Sequence, residues 1–154
     1  MLVLNDIGLK DRDVSLLKGL PLKRLSIRNG AITSIAPLHK LPLDSLDLSG
    51  NEGIKDFAVL GGMSLRNLSL DNTGLVDLGV LKKMELQTLS IAGNPVRDLS
   101  PISGMGLVML DISGTGVSNL SPLKGMKLVD VRLSNSRVAD LSPLTGMALT
   151  RFYC

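Results

Sequence analysis

Hydrophobic positions recur along this chain with a period of about 21 residues. The repeats begin at Leu22, Leu43, Leu65, Leu86, Leu107, Leu128 and Leu149. In the repeat LVMLDISGTGVSNLSPLKGMK (107–127), the apolar positions are 1, 4, 6, 11, 14, 17 and 20. A fixed period of this length indicates stacked coils, each of which buries its apolar side against its neighbours.

The first half of each repeat has the pattern of a strand. Apolar positions 4 and 6 flank a more polar position 5, and this alternation with a period of two predicts a short strand over positions 3 to 5. Equivalent strands in successive repeats would lie parallel, about 4.8 Å apart. One repeat is 22 residues long, and we expect its extra residue in a loop at GNEGI (50–54).

The second half of each repeat predicts a short helical turn opposite the strand. Near-identical segments, LSPISGM, LSPLKGM and LSPLTGM, begin at Leu99, Leu120 and Leu141. Ser is a preferred N-cap, Pro is favoured at the first helical position, and Gly can end a turn in the left-handed conformation. The segment therefore predicts one turn of 3₁₀ or α-helix with Ser as its N-cap. The recurring Asp at position 13 is expected in a capping or turn role and not in a metal site.

The repeats organise residues 1–154 as one domain. A partial first repeat covers 1–21, six full repeats follow, and a partial last repeat covers 149–154. No cap-like helix is visible at either end. Since solenoids need polar caps, we expect either an excerpt of a longer array or self-association through uncapped ends.

The consensus LxxLxLxxNxVxxLSPLxGM resembles the leucine-rich repeat family, and its short period and LSPL half are similar to the bacterial, internalin-like class. The resemblance covers essentially the whole chain. It implies an α/β solenoid, right-handed and curved, with a parallel concave sheet and short 3₁₀ or α turns on the convex side. It also implies a ladder of Asn side chains at position 9. Because only Asn51 and Asn94 keep that residue, we expect an incomplete ladder.

The resemblance further implies that a protein partner binds the outward side chains of the concave sheet. These side chains stand at positions 3, 5, 7 and 8 and are mostly polar and small. The candidate partner-binding residues are Arg24, Arg28, Asp47, Asn67, Asp71, Met109, Asp111, Asp130, Arg132, Arg151 and Tyr153. An alternative is open for some of them, because Asp111 falls beside Arg132, and Asp130 beside Arg151, in neighbouring strands. Such residues could form ladder ion pairs without any ligand.

Composition and the absence of known enzyme motifs limit the functions that the chain is expected to have. The chain is 44% hydrophobic but only 2% aromatic, so the core must be aliphatic, and its net charge is +3. None of the motifs GxxxxGK(S/T), HExxH, CxxC and GxSxG occurs. The lone His39 falls on the outer turn, and Cys154 falls in the apolar column at position 6, where we expect it in the core.

These observations predict a non-enzymatic scaffold for protein–protein interaction, with no cofactor and no metal. The alternative is a structural array that associates end to end. Nucleic-acid binding is not expected, because the concave face lacks a full basic stripe with stacking aromatics, and no membrane partner is expected. The single cysteine and the lack of a signal peptide at the start favour a cytoplasmic location for the chain as given. A secreted or surface location stays open if the chain is part of a larger protein.

Overall fold

The computed structural model describes residues 1–154 as one eight-stranded parallel sheet, in which each strand pairs with the next along the chain. The strands are β1 Leu2–Val3, β2 Arg24–Ser26, β3 Ser45–Asp47, β4 Asn67–Ser69, β5 Thr88–Ser90, β6 Met109–Asp111, β7 Asp130–Arg132 and β8 Arg151–Tyr153. A short helix or turn on the opposite side follows each of the first seven strands. These are α1 Asp11–Ser15, η1 Ala36–Lys40, η2 Ala58–Gly62, η3 Leu78–Leu81, η4 Ser100–Ile102, η5 Ser121–Leu123 and η6 Ser142–Leu144, where η denotes a 3₁₀ helix.

The strand register confirms the sequence-based repeat alignment. Strands β2 to β8 occupy positions 3 to 5, and residues of equal position face one another across each pair, as Leu89 faces Leu110. Position 4 lies inside, where Leu46, Leu68 and Leu110 are almost completely buried. Side chains at positions 3 and 5 therefore point to the concave face.

The core is a continuous aliphatic stack. Its buried residues are Leu, Ile, Val and Met without exception, and Phe57 packs against it only partly buried. Position 20, one of the apolar positions, is a buried methionine in three coils, as Met63, Met84 and Met126. The aliphatic core predicted from composition is therefore confirmed.

The position-9 ladder is present and incomplete, as expected. The amide nitrogen of Asn51 donates to Ile27 O of the previous coil and to Leu48 O of its own coil, both at 2.7 Å. Thr115, in the same column, donates only to Ile112 O of its own coil. An Asn side chain can reach two coils because its amide carries two donors and an acceptor, whereas a Thr hydroxyl has one proton to donate.

The prediction that Ser is the N-cap of the outer turn is wrong. In η4, η5 and η6, Ser is the first helical residue and a Leu precedes it as N-cap, without a side-chain cap. Leu99 and Leu120 are buried and point into the core, so the polar residue one step earlier takes the capping role, and the last turn keeps this arrangement although Leu141 is exposed. Asp98 Oδ1 accepts from Ser100 N at 2.8 Å, and Asn119 accepts from Ser121 N at 2.9 Å. The predicted turn role of the position-13 Asp is therefore confirmed.

Hydrogen bonds strengthen one of these turns on its exposed side. Asp140 accepts from both Ser142 N at 2.8 Å and Ser142 Oγ at 2.9 Å. These two bonds hold the pKa of Asp140 below its usual value. The serines of the SPL segments thus serve the turn through their backbone N–H groups.

The first coil differs from the others because it contains two extra residues, Arg12 and Asp13. They lie in α1, which is an α-helix, whereas the outer turns of the other coils are 3₁₀ helices. Asp11 at the start of α1 binds the next coil, accepting from Thr33 N at 2.7 Å and Thr33 Oγ1 at 2.6 Å. These hydrogen bonds, foremost that of the Thr33 hydroxyl, lower the pKa of Asp11.

The prediction that Cys154 belongs to the core is wrong, because its side chain is exposed. Phe152, at position 4 of the same coil, is 38% exposed although its column is buried from Leu25 to Val131. A residue at an apolar repeat position is buried only where a neighbouring coil lies on both sides of its own coil. No further coil packs on β8.

Candidate functional site

The concave sheet face carries all eleven candidate residues, and the structure arranges most of them in two groups. Four line one cavity of about 600 Å³ over the first four strands: Arg24, Arg28, Asp47 and Asn67. Five others meet over the last three strands: Asp111, Asp130, Arg132, Arg151 and Tyr153. Asp71 and Met109 lie half-buried between the two groups.

In the first group, the residues at positions 5 and 7 are held by the protein itself. The Arg28 guanidinium pairs with the Asp47 carboxylate, which also accepts from Ser49 N at 3.1 Å. Asn5 Oδ1 accepts from Ser26 Oγ at 2.8 Å and from Arg28 N at 2.9 Å. These contacts form a rigid wall on one side of the cavity.

Asn5 was missed as a candidate residue, although the sequence contained its signal. Alignment of residues 2–11 with 68–77 places Asn5 at position 7 of the partial first repeat. The same rule that selected Arg28 and Asp71 would therefore have selected Asn5. Its amide bonds to β2 and the following residues, so it helps to shape the cavity.

Asp71 occupies the centre of the face and has no cationic partner. Its carboxylate accepts from the Ser90 hydroxyl and from Ala92 N at 2.8 Å. Burial raises the pKa of Asp71, and repulsion from Asp111 and Asp47 adds to this, while the two hydrogen bonds oppose it. The centre of the face is thus a half-buried acid among small hydroxyl side chains.

The second group is a network of charges around Asp130. The side chain of Asp130 is only 3% exposed, and its carboxylate lies 3.2 Å from Arg132 Nη2 and 3.1 Å from Arg151 Nε. Arg132 Nη1 lies 4.0 Å from Asp111 Oδ2, and the guanidinium stacks 5.4 Å from the centroid of the Tyr153 ring. The hydrogen bond to Asp130 raises the pKa of Arg132.

The ion pairs expected from the neighbouring-strand alternative are therefore present in this second group. One detail differs, because Arg132 makes its shorter contact with Asp130 of its own strand rather than with Asp111 across the sheet. Two arginines converge on one buried carboxylate, so these charges have a structural role whether or not a partner also contacts them.

A cavity larger than the concave one, not predicted from the sequence, lies away from the sheet face. It measures about 820 Å³ and lies between the loops at 52–58 and 73–77, beside Phe57, Val76 and Val80. It borders the repeat that contains the extra residue in GNEGI. None of the eleven candidate residues lines it.

The remaining chemistry is sparse. No group of three or more His, Cys, Asp or Glu side chains could hold a metal ion. His39 is exposed on the outer turn η1, as expected, and its Nδ1 lies 2.9 Å from Ala36 O. The structure contains no helix with the length and apolar character that a bilayer crossing requires.

Comparisons with known proteins agree with this architecture. No family model matches the chain, and no curated protein matches it. Among solved structures, an internalin (InlF) from Listeria monocytogenes str. 4b F2365 is 27% identical over 91% of this chain, with a TM-score of 0.83. Internalin C2 from the same strain is 25% identical over 96% of this chain, with a TM-score of 0.66.

The chain spans 43% of the length of InlF and 76% of that of internalin C2. Both likenesses extend over nearly the whole of the present sheet and its outer turns. Together with the 21-residue register and the row of 3₁₀ turns, they show that the chain has a leucine-rich repeat solenoid fold like that of the internalins.

Proposed function

We propose that this chain is a non-catalytic protein-interaction module that binds a protein partner on its concave sheet face. The observation that carries the proposal is the contrast between interior and concave columns. Interior position 4 is Leu in five successive coils, from Leu25 to Leu110, whereas concave position 3 changes at every step from Arg24 to Arg151, and positions 5 and 7 also vary. A repeat fold needs uniform interior columns, but it places no such demand on an exposed face.

The rigidity of the face supports the same proposal. Backbone hydrogen bonds join all eight strands in a single register, so the concave side chains are already positioned before binding. A preformed surface loses less conformational entropy on association than a flexible loop does. The likeness to two internalins favours an interaction role for the repeat array as a whole.

A blocking substitution at the centre of the face tests the proposal. Peptides would be selected for binding from a displayed random library, and their affinities measured for the Thr88→Tyr and Ser118→Tyr variants. Thr88 is half-buried on concave strand β5, whereas Ser118 is exposed on the loop before η5. We expect Thr88→Tyr to weaken binding by about tenfold or more, equivalent to ~1.4 kcal/mol, and Ser118→Tyr to leave it nearly unchanged.

Several results would contradict this proposal. Peptides whose affinities survive Thr88→Tyr, or fall equally with Ser118→Tyr, would place the interaction elsewhere on the solenoid. Circular dichroism of both variants serves as the control for folding, since either tyrosine could disturb the packing of its coil.

The second candidate function, a self-associating array, stays a prediction. It is favoured by the exposed aromatic side chains of β8, because Phe152 is 38% exposed and Tyr153 48% exposed, and by the risk that unpaired strand edges associate. It predicts that the particle mass measured by light scattering rises with protein concentration. A monomer at every concentration would argue against it.

A further inference from the structure

We propose that the concave cavity over β1 to β4 binds a carboxylate side chain, Asp or Glu, of the protein partner, and that Arg24 forms the ion pair with it. This inference rests on the proposed function and adds to it the part of the face that is used and the chemistry of the partner.

Three of the four concave arginines pair with acids of this protein. Arg28 pairs with Asp47, Arg132 contacts Asp130 and Asp111, and Arg151 contacts Asp130. Only Arg24 forms no ion pair, and its side chain is exposed.

The carboxylates of the concave face also leave Arg24 without an acidic partner. Asp47, Asp111 and Asp130 already have arginine partners, and Asp71 is held by Ser90 and Ala92. No acid of this protein neutralises Arg24. The cavity itself contains Arg24, Arg28 and one carboxylate, that of Asp47, so its side chains leave one positive charge without a counterpart.

The residues at position 3 form a row across the cavity. Arg24 faces Ser45 across β2 and β3, and Ser45 faces Asn67 across β3 and β4. All three side chains line the cavity, and none of them forms a hydrogen bond within the protein. The other polar wall is by contrast bonded internally, because Asn5 accepts from Ser26 and from the Arg28 backbone, and the Arg28 guanidinium pairs with Asp47.

The spacing of the free row suits an acidic side chain. Adjacent strands lie about 4.8 Å apart, so a guanidinium, a hydroxyl and an amide follow one another along the cavity. A carboxylate can accept two parallel hydrogen bonds from a guanidinium, and its remaining lone pairs can accept from a neighbouring hydroxyl or amide. Val3, 49% exposed at the edge of the same cavity, gives apolar contact to the residue beside the acid.

Two capped heptapeptides test the inference on the intact chain. One has the central sequence Val-Glu-Val and the other Val-Gln-Val, and inorganic phosphate is a third probe. Binding is followed by NMR through the shifts of backbone amides and of the Arg24 Nε–H signal. We expect the Glu peptide to bind about fivefold more tightly than the Gln peptide, because only the former makes a charge-assisted bond. The shifts should centre on Arg24, Ser45 and Asn67.

Substitution supplies the matched control. Arg24→Gln should remove the preference for the Glu peptide, whereas Arg97→Gln should preserve it, because Arg97 is an exposed arginine without an ion pair on a loop outside the sheet. Equal binding of the two peptides, absence of binding by both, or shifts outside the cavity would overturn the proposal. Phosphate binding more tightly than the Glu peptide at the same residues would overturn the assignment of a carboxylate.

Failure of this inference can be separated from failure of the proposed function. Library-selected peptides that lose affinity with Thr88→Tyr but not with Arg24→Gln would preserve the concave face as the interaction surface. They would contradict only the acidic contact at Arg24.

Discussion

Replacement of Asn94 by Ala is expected to lower the free energy of unfolding by about 3 kcal/mol, because four backbone groups each lose a buried hydrogen bond. Asn94 is 1% exposed. Its Oδ1 accepts from Thr73 N at 3.1 Å and from Leu75 N at 3.0 Å, and its Nδ2 donates to Leu70 O at 2.7 Å and to Ile91 O at 2.9 Å. One side chain thus joins the coil that begins at Leu65 to its own coil.

The matched control for this effect is Thr115→Val in the same column, one coil later. Thr115 is 4% exposed, and its hydroxyl donates only to Ile112 O, at 2.7 Å. Loss of this single bond within one coil should cost about 1 kcal/mol. Urea unfolding of the two variants measures the difference, and equal losses would show that the Asn ladder does not join the coils more strongly than Thr does.

The period of the sequence predicted the sheet register well, because stacking couples every coil to the same pattern. A side chain at position 4 has one neighbour above and one below, both from its own column, so Leu89 could hardly face any residue but Leu68 and Leu110. The repeat alignment therefore determined the strand pairs. It also placed the extra residue of GNEGI outside the strands, since Ser45 faces Asn67, 22 residues later.

The predictions from sequence were wrong where N-cap propensity competes with core packing, and where a residue lacks a neighbouring coil. Leu99 and Leu120 stand at the N-cap of their turns because their apolar side chains pack inward, although propensity alone favours Ser there. Cys154 follows the interior pattern but is exposed, because burial at that column depends on the next coil. Neither effect can be read from one repeat considered alone.

The candidate site was predicted as a face but not as a set of contacts. The alternation of inward and outward positions selected the concave residues, and the structure places them there. The choice of partner by each long side chain was not predicted, because an arginine can reach both along its own strand and across to the next. Arg132 takes Asp130 at 3.2 Å in preference to Asp111 at 4.0 Å, since the more deeply buried carboxylate has the greater need of a donor.

The second large loss of stability is expected when Asp130 loses its arginine partners. Its carboxylate receives hydrogen bonds or close contacts from Arg132 and Arg151 alone, so the double variant Arg132→Gln, Arg151→Gln leaves a buried charge without an opposite charge. We expect the free energy of unfolding to fall by about 2 kcal/mol. Arg28→Gln is the comparison, because its partner Asp47 is more exposed, at 16% against 3%, and an exposed pair contributes about 1 kcal/mol or less.

The single substitutions at Arg132 and Arg151 should not add up to the double one. Each single variant leaves Asp130 with one arginine at 3.1 or 3.2 Å, so the remaining guanidinium still neutralises the buried carboxylate. Only loss of the second arginine leaves the buried carboxylate without an opposite charge. The effects of two residues that share one partner are therefore coupled. A double-mutant cycle measured by urea unfolding should therefore show a double loss larger than the sum of the single losses. Simple additivity would contradict the shared-partner geometry, and Asp130→Asn in the double variant should restore part of the stability by removing the charge.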